Sequence, residues 1–263
     1  MKKSNKIRQK IIKIISSSGA AHVASSLSCV EILVAIYDSV NIQKIKKNQL
    51  DRDRILLSKG HATAALYATL SEFNLMSDKN LNTYSKDNSI LSGHPNHIIK
   101  NIEHSTGALG HGLPVAVGMS MGSRSLKIKN KVYVILGDGE LHEGSNWEAL
   151  MFAGHHKLEN LRIFIDNNGQ SQIGKTDNAC SLKSLKAKIL SFNFVTEEID
   201  GHNLLKLKKI INKYKNVKKP VAIICNTIKG KGVSFMEKNN LWHYKAPRGK
   251  ELTNSIKELV KSQ

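Results

Sequence analysis

The residue pattern predicts an α/β protein: a doubly wound parallel sheet with flanking helices. Short, almost wholly apolar runs at 54–58, 131–136, 161–166 and 220–225 alternate with segments of helical spacing, as buried parallel strands do. Two of these runs stop abruptly at Gly137-Asp138-Gly139 and Asn167-Asn168-Gly169. No internal repeat or Pro-rich linker interrupts the pattern, so residues 1–263 are expected to form a single domain.

Segments 5–16 and 27–40 read as helices. In the second, Leu27, Val30, Ile32, Leu33, Val34, Ile36 and Tyr37 recur at near-helical spacing after a Ser-rich start that can cap it. Cys29 falls on the core side of that helix. The strand at 54–58 runs into Lys59-Gly60-His61, and an Ala-rich helix follows from Ala62 to Phe73. Residues 81–104 show little periodicity and are expected to be a loop turning at Pro95. Beyond it, Gly- and small-residue-rich 105–114 leads into a helix from 115 to 124. The strand at 131–136 is followed by a helix carrying Trp147, Leu150, Met151 and His155. The strand at 161–166, a basic helix at 203–216 and the strand at 220–225 complete the alternation.

The chain has 263 residues, 40% of them hydrophobic, which is ample for a core. No run of about 18 apolar residues occurs, so no membrane span is expected. The basic, partly apolar start faintly imitates a secretory leader, but Lys13 divides its apolar stretch. Cys29, Cys180 and Cys225 form no CxxC and cannot all pair, which fits a reducing cytoplasm. With 40 Lys+Arg against 21 Asp+Glu the net charge is +19. The basic clusters at 2–13 and 206–219 lack the interleaved aromatics of a single-strand-binding platform. They read first as solvated helix faces, with nucleic acid the less favoured partner and small anions a third.

Ligands of such sheets bind beyond the carboxyl ends of the strands. There Asp138 and Asn168 sit 30 residues apart, about one strand–helix–strand crossover. Side chains from adjacent strands can then converge on one cation. A carboxylate, an amide oxygen and a backbone carbonyl are hard ligands suited to Mg²⁺, which completes its shell with water and phosphate oxygens. The implied ligand is a diphosphate. Neither glycine cluster is a dinucleotide fingerprint: 137–142 lacks the third glycine and 107–112 has the wrong order. A bare Gly-Asp-Gly also suits a plain tight turn; Asn168 at this distance favours the metal–diphosphate site.

Gly137-Asp138-Gly139 through Asn168 resembles the thiamine diphosphate motif, and 136–149 with 152–160 is similar to its transketolase version. Ser58-Lys59-Gly60-His61, Ser92-Gly93-His94-Pro95, residues 105–110, Lys229-Gly230-Lys231-Gly232 and Trp242-His243 resemble further blocks of that family, in order, over about 18–250. The resemblance implies the amino-terminal, diphosphate-binding half of a transketolase. In the family a second domain holds the aminopyrimidine and supplies the activating glutamate. The chain stops short of one, so the resemblance implies a split enzyme, inactive alone, whose partner is a separate carboxy-terminal subunit, with two of each half in the assembly.

By position in the family pattern, Asp138, Asn168 and the carbonyl of Gln170 would ligate Mg²⁺, with Gly139 and Glu143 beside them. His61 and Gly107 would face the diphosphate side of thiamine diphosphate, and Leu109 would pack near its rings. His22, His61 and His94 would be the catalytic histidines, His22 and His94 binding the donor sugar; an imidazole can donate and accept protons near neutral pH. The implied reaction moves a two-carbon ketol unit from a ketose, expected to be phosphorylated, to an aldose. Other readings are an acyloin-forming synthase or decarboxylase of the same lineage, and a non-catalytic basic binding protein on a degenerate fold. His155 and His156 are expected to be structural. Ala21, Ala24 and His111 depart from the family pattern, and Tyr244 stands where glycine is usual, which points to an altered sugar substrate.

Overall fold

The computed structural model describes residues 2–261; Met1, Ser262 and Gln263 lie outside the described residues. Five parallel strands form one sheet: β1 (Arg54–Leu57), β2 (Val132–Gly137), β3 (Leu161–Asn167), β4 (Val195–Asp200) and β5 (Val221–Asn226), in the spatial order β1-β2-β3-β5-β4. Side chains alternate between two apolar layers, as the pleat requires. Tyr133, Ile135, Phe164 and Ile223 face a layer that includes the helices Lys3–Ser18, Val30–Ser39 and Thr63–Glu72. Val132, Val134, Leu136, Ile163, Ile165 and Ile224 face the helices Gly112–Ser125 and Gly144–His155. Burying each such aliphatic side chain stabilises the fold by about 1.5–3 kcal/mol. Among the described residues no helix is long and apolar enough to cross a membrane.

Several elements differ from the sequence expectation. The helix expected over 27–40 is two helices, Val23–Ser28 and Val30–Ser39, parted at buried Cys29. Ser28 bonds back to the Ser25 carbonyl and reaches Asp166 (2.6 Å), and such local bonds compete with helix continuation. The helix expected from 115 begins at Gly112, because Pro114 lies in its first turn, where its missing N–H costs nothing. The basic helix is shorter, Leu204–Lys213. Elements that were not expected include the strand β4 and the helices Ile42–Lys46, Leu185–Ser191 and Lys250–Lys261. β4 is an edge strand carrying Glu197 and Glu198, with Glu197 paired to Lys213 at 2.8 Å, so its sequence lacks the apolar run of an inner strand.

The loop over 82–104 is irregular yet anchored. Glu103 accepts from Arg52 (2.9 and 3.0 Å) and Arg54 (2.9 Å), while Tyr67 donates to the His94 carbonyl (3.2 Å). Lys206, Lys209, Lys213, Lys215, Lys218 and Lys219 lie on a largely solvated face, as expected. Arg8 is the exception in the amino-terminal basic cluster: it is buried in a two-pronged pair with Glu31, 2.6 Å on each prong. Burial alone would raise the Glu31 carboxyl, but Arg8 and His202 hold it at about 2.

Candidate active site

The register pairs Gly137 with Asp166, so β2 and β3 end level and side by side. Asp138 follows the end of β2, and Asn168 that of β3. Asp138 is buried, and its Oδ2 accepts the Gly169 N–H at 2.7 Å, joining the two turns. Burial and the nearby Asp166 charge push the Asp138 carboxyl up to about 6, against the pull of the Gly169 and Gly139 N–H groups. It has no ion-pair partner among the described residues. Asn168 Oδ1 accepts the Gln170 N–H (3.1 Å), and the Gln170 side chain donates to the Lys238 carbonyl (3.0 Å) while its Oε1 is buried without a partner. Among the described residues no three His, Cys, Asp or Glu side chains gather as a self-sufficient metal cage. One buried carboxylate beside an amide oxygen is instead the donor set that suits Mg²⁺ shared with phosphate and water.

Behind these turns Asp166 is fully buried and accepts from Ser28, Thr227 and the ammonium of Lys59, itself 1% exposed. This pair closes the floor of the site. Lys59 leads into the turn Gly60–Ala62, which carries His61. A Cβ on Gly60 would lie 2.7 Å from the Thr106 carbonyl carbon and 2.8 Å from Gly107 N. Only glycine therefore lets the loop bearing Gly107 and Leu109 lie across this turn. Thr106 fastens the loop by donating to the Leu57 carbonyl at 2.7 Å.

His22 begins the helix Val23–Ser28 with φ of +70°, its N–H donating to the His243 carbonyl at 2.7 Å. Its ring centroid lies 4.9 Å from His243, 5.4 Å from His61 and 6.3 Å from His94. Four imidazoles thus converge on one space. Lys229 donates to the Ser171 carbonyl (2.9 Å) and to His243 Nδ1 (3.1 Å). An ammonium only donates, so His243 carries its proton on Nε2. Burial, with the cationic neighbours, pushes His22 and His243 down to about 4 and His61 well below its ordinary value; burial and Lys59 push Lys229 down to about 8.

A cleft of about 540 Å³ takes in every residue singled out from the sequence: His22, His61, His94, Gly107, Leu109, Asp138, Gly139, Glu143, Asn168 and Gln170. His155 and His156 do not line it, and neither does His111, which is exposed at the start of the helix Gly112–Ser125. Ala24 still permits close backbone approach, its carbonyl accepting the Gly230 N–H at 2.9 Å. Tyr244 is 57% exposed with its ring 6.2 Å from His22, at the rim. Sequence reasoning missed Lys59, Glu140 and Lys229 in the lining and gave His243 no role. Lys59, Lys229 and His243 lie in blocks that were recognised, but nothing in a linear sequence marks a lysine as buried.

The imidazole shifts predict a pH effect on the unliganded chain. Unfolded histidines take up protons near 6.5, whereas folded His22 resists until about 4. Its contribution to stability is whole above about 6.5 and is lost as pH falls toward 4. The thermal midpoint of His22→Asn, whose side chain tolerates the left-handed backbone, should therefore fall less than the parent's over that interval. Parallel curves for the two proteins would contradict the shift.

The family described as "Transketolase, thiamine diphosphate binding domain" matches residues 1–260. The chain is 38% identical over 261 residues to a protein of Phocaeicola vulgatus named as one subunit of apulose-4-phosphate transketolase, covering 97% of this chain and 92% of that protein. It is 37% identical over 239 residues to "6-deoxy-6-sulfo-D-fructose transketolase subunit SqwG" of a Clostridium species, covering 89% and 86%. Against the crystal structure of transketolase from Campylobacter jejuni the TM-score is 0.89 at 29% identity, over 98% of this chain but 42% of that one.

Proposed function

Because the chain belongs to the transketolase family, as its thiamine diphosphate-binding domain, we propose that it is the amino-terminal subunit of a split, Mg²⁺-dependent transketolase. The observation that carries this reading is the single cleft that gathers the motif residues at the ends of β1, β2 and β3. Near end-to-end likeness to proteins that are themselves named as transketolase subunits supports a separate partner subunit; on the resemblance to the family, that partner would carry the pyrimidine-binding domain and the assembly would hold two copies of each. The free thiols of Cys29, Cys180 and Cys225 suit a reducing cytoplasm.

Asp138, the Asn168 amide oxygen and the Gln170 carbonyl would hold Mg²⁺, flanked by Gly139 and Glu143. Gly107 and His61 would face the diphosphate, with Leu109 packed against the rings. Thiamine diphosphate supplies a nucleophilic thiazolium carbon and an electron sink for breaking the bond next to a ketose carbonyl. The protein positions, neutralises and moves protons. Lys59 is committed to Asp166, whereas Lys229 meets only the Ser171 carbonyl and His243 and offers its ammonium to an anionic group. His22 and His61, held neutral by burial, can each donate at one nitrogen and accept at the other, while His243, its Nδ1 taken by Lys229, offers an Nε2–H donor. With His94 they are set to bind sugar hydroxyls and pass protons at the reacting carbons.

A ketose with an anionic group fits the phosphate and sulfo sugars in the relatives' names. Tyr244 at the rim favours a substrate narrower than an open mouth would accept. Reconstitution with the partner subunit tests the reading by measuring two-carbon transfer and bound cofactor together. His94→Ala should keep thiamine diphosphate but lose about a hundredfold or more in turnover. Loss of cofactor from that variant would show that His94 belongs to the cofactor's binding surface instead.

A further inference from the structure

Glu140 is 2% exposed and makes no ion pair among the described residues, yet both of its carboxylate oxygens accept hydrogen bonds. Oε1 accepts the Gly110 N–H at 3.1 Å and the Ser58 hydroxyl, and Oε2 accepts the Gly137 N–H at 3.2 Å. Those donors come from three different cleft walls: the end of β1 ahead of Lys59-Gly60-His61, the loop bearing Gly107 and Leu109, and the end of β2 ahead of Asp138. Asn146 steadies Glu140 in turn by donating to its carbonyl at 2.7 Å. Ser145 fixes the same loop from outside through the Gly110 carbonyl at 2.7 Å.

We infer that Glu140 is a positioning residue for cofactor binding, clasping the Gly107–Leu109 loop to the Gly137-Asp138 turn. This one carboxylate bonds directly to both the wall that would pack the cofactor's rings and the wall that would hold its diphosphate. The inference rests on the functional reading above. The carboxyl suits the clasp because each of its two oxygens can accept one of the two backbone N–H groups. A glutamine of the same shape has one NH₂ edge, and whichever way it turns, that edge meets the N–H of Gly110 or of Gly137. One of the two backbone bonds is then lost. Ser58→Ala removes a different partner and leaves both backbone bonds in place.

The test compares the parent chain, Glu140→Gln and Ser58→Ala, each with the partner subunit. Three quantities are read: dissociation constant for thiamine diphosphate in saturating Mg²⁺, amide exchange at Gly110 and Gly137 by NMR, and thermal midpoint. Glu140→Gln should weaken cofactor binding about tenfold, the scale of a lost hydrogen bond to a charged acceptor, with faster exchange confined to the loop and turn. Ser58→Ala should bind nearly as the parent does. Parent-like affinity and protection in Glu140→Gln overturn the inference. So does a uniform loss of protection with a falling midpoint, which marks a merely structural role. A parent protein that binds no thiamine diphosphate overturns the functional reading, and this inference with it, even where local exchange still reports the clasp.

Discussion

Asp138→Ala is expected to abolish Mg²⁺-dependent retention of thiamine diphosphate in the assembled enzyme. The substitution removes the only anionic protein ligand proposed for the cation. It also frees the Gly169 N–H, which the carboxylate holds at 2.7 Å, so the turn bearing Asn168 and Gln170 loses its tie to β2. Outer partners of metal sites are each worth about 10–100-fold in affinity, and a direct carboxylate ligand should exceed that. Asp138→Asn separates the two effects, since it can keep the Gly169 bond while losing the charge. Both variants should shed cofactor on gel filtration in Mg²⁺, the asparagine with its turn intact. Retention equal to the parent's would remove Asp138 from the metal site.

Lys59→Met should be the most destabilising single change in the floor of the cleft. It leaves Asp166, fully buried, with only the hydroxyls of Ser28 and Thr227 and the distant Asn168 amide at 3.5 Å. Breaking a buried pair from one side costs about 3–5 kcal/mol because the remaining charge is uncompensated. For a chain of this size the midpoint should drop by roughly 2–4 °C per kcal/mol. Adding Asp166→Asn should recover much of the loss, because the amide needs no counter-charge. A single variant as stable as the parent would mean that the pair carries no net stabilisation.

The inner strands β2, β3 and β5 were legible because strands buried on both faces must be largely apolar, and the runs at 131–136, 161–166 and 220–225 are so. β4 was not: as an edge strand it carries Glu197, Glu198 and Asp200, and reads like a surface segment. The division of the second helix at Cys29 was also hidden, because it depends on Ser28 reaching Asp166, 138 residues away in the chain. The same distinction runs through the cleft. Asp138 and Asn168 could be paired from their places at two strand ends, and the histidines from ordered blocks. Glu140, Lys59 and Lys229 owe their roles to burial among partners far along the chain, and a basic composition makes any one lysine look like surface.

Recovering the tagged chain from its native cells checks whether it is a cofactor-binding subunit that works with a second polypeptide. Co-purifying proteins are identified by mass spectrometry, and thiamine diphosphate released on denaturation is quantified. The expected result is a stoichiometric partner, thiamine diphosphate in amounts matching the chain, and loss of that cofactor when Asp138 is replaced. A chain recovered alone and without cofactor, and still unable to take up thiamine diphosphate when it is supplied with Mg²⁺, would contradict it.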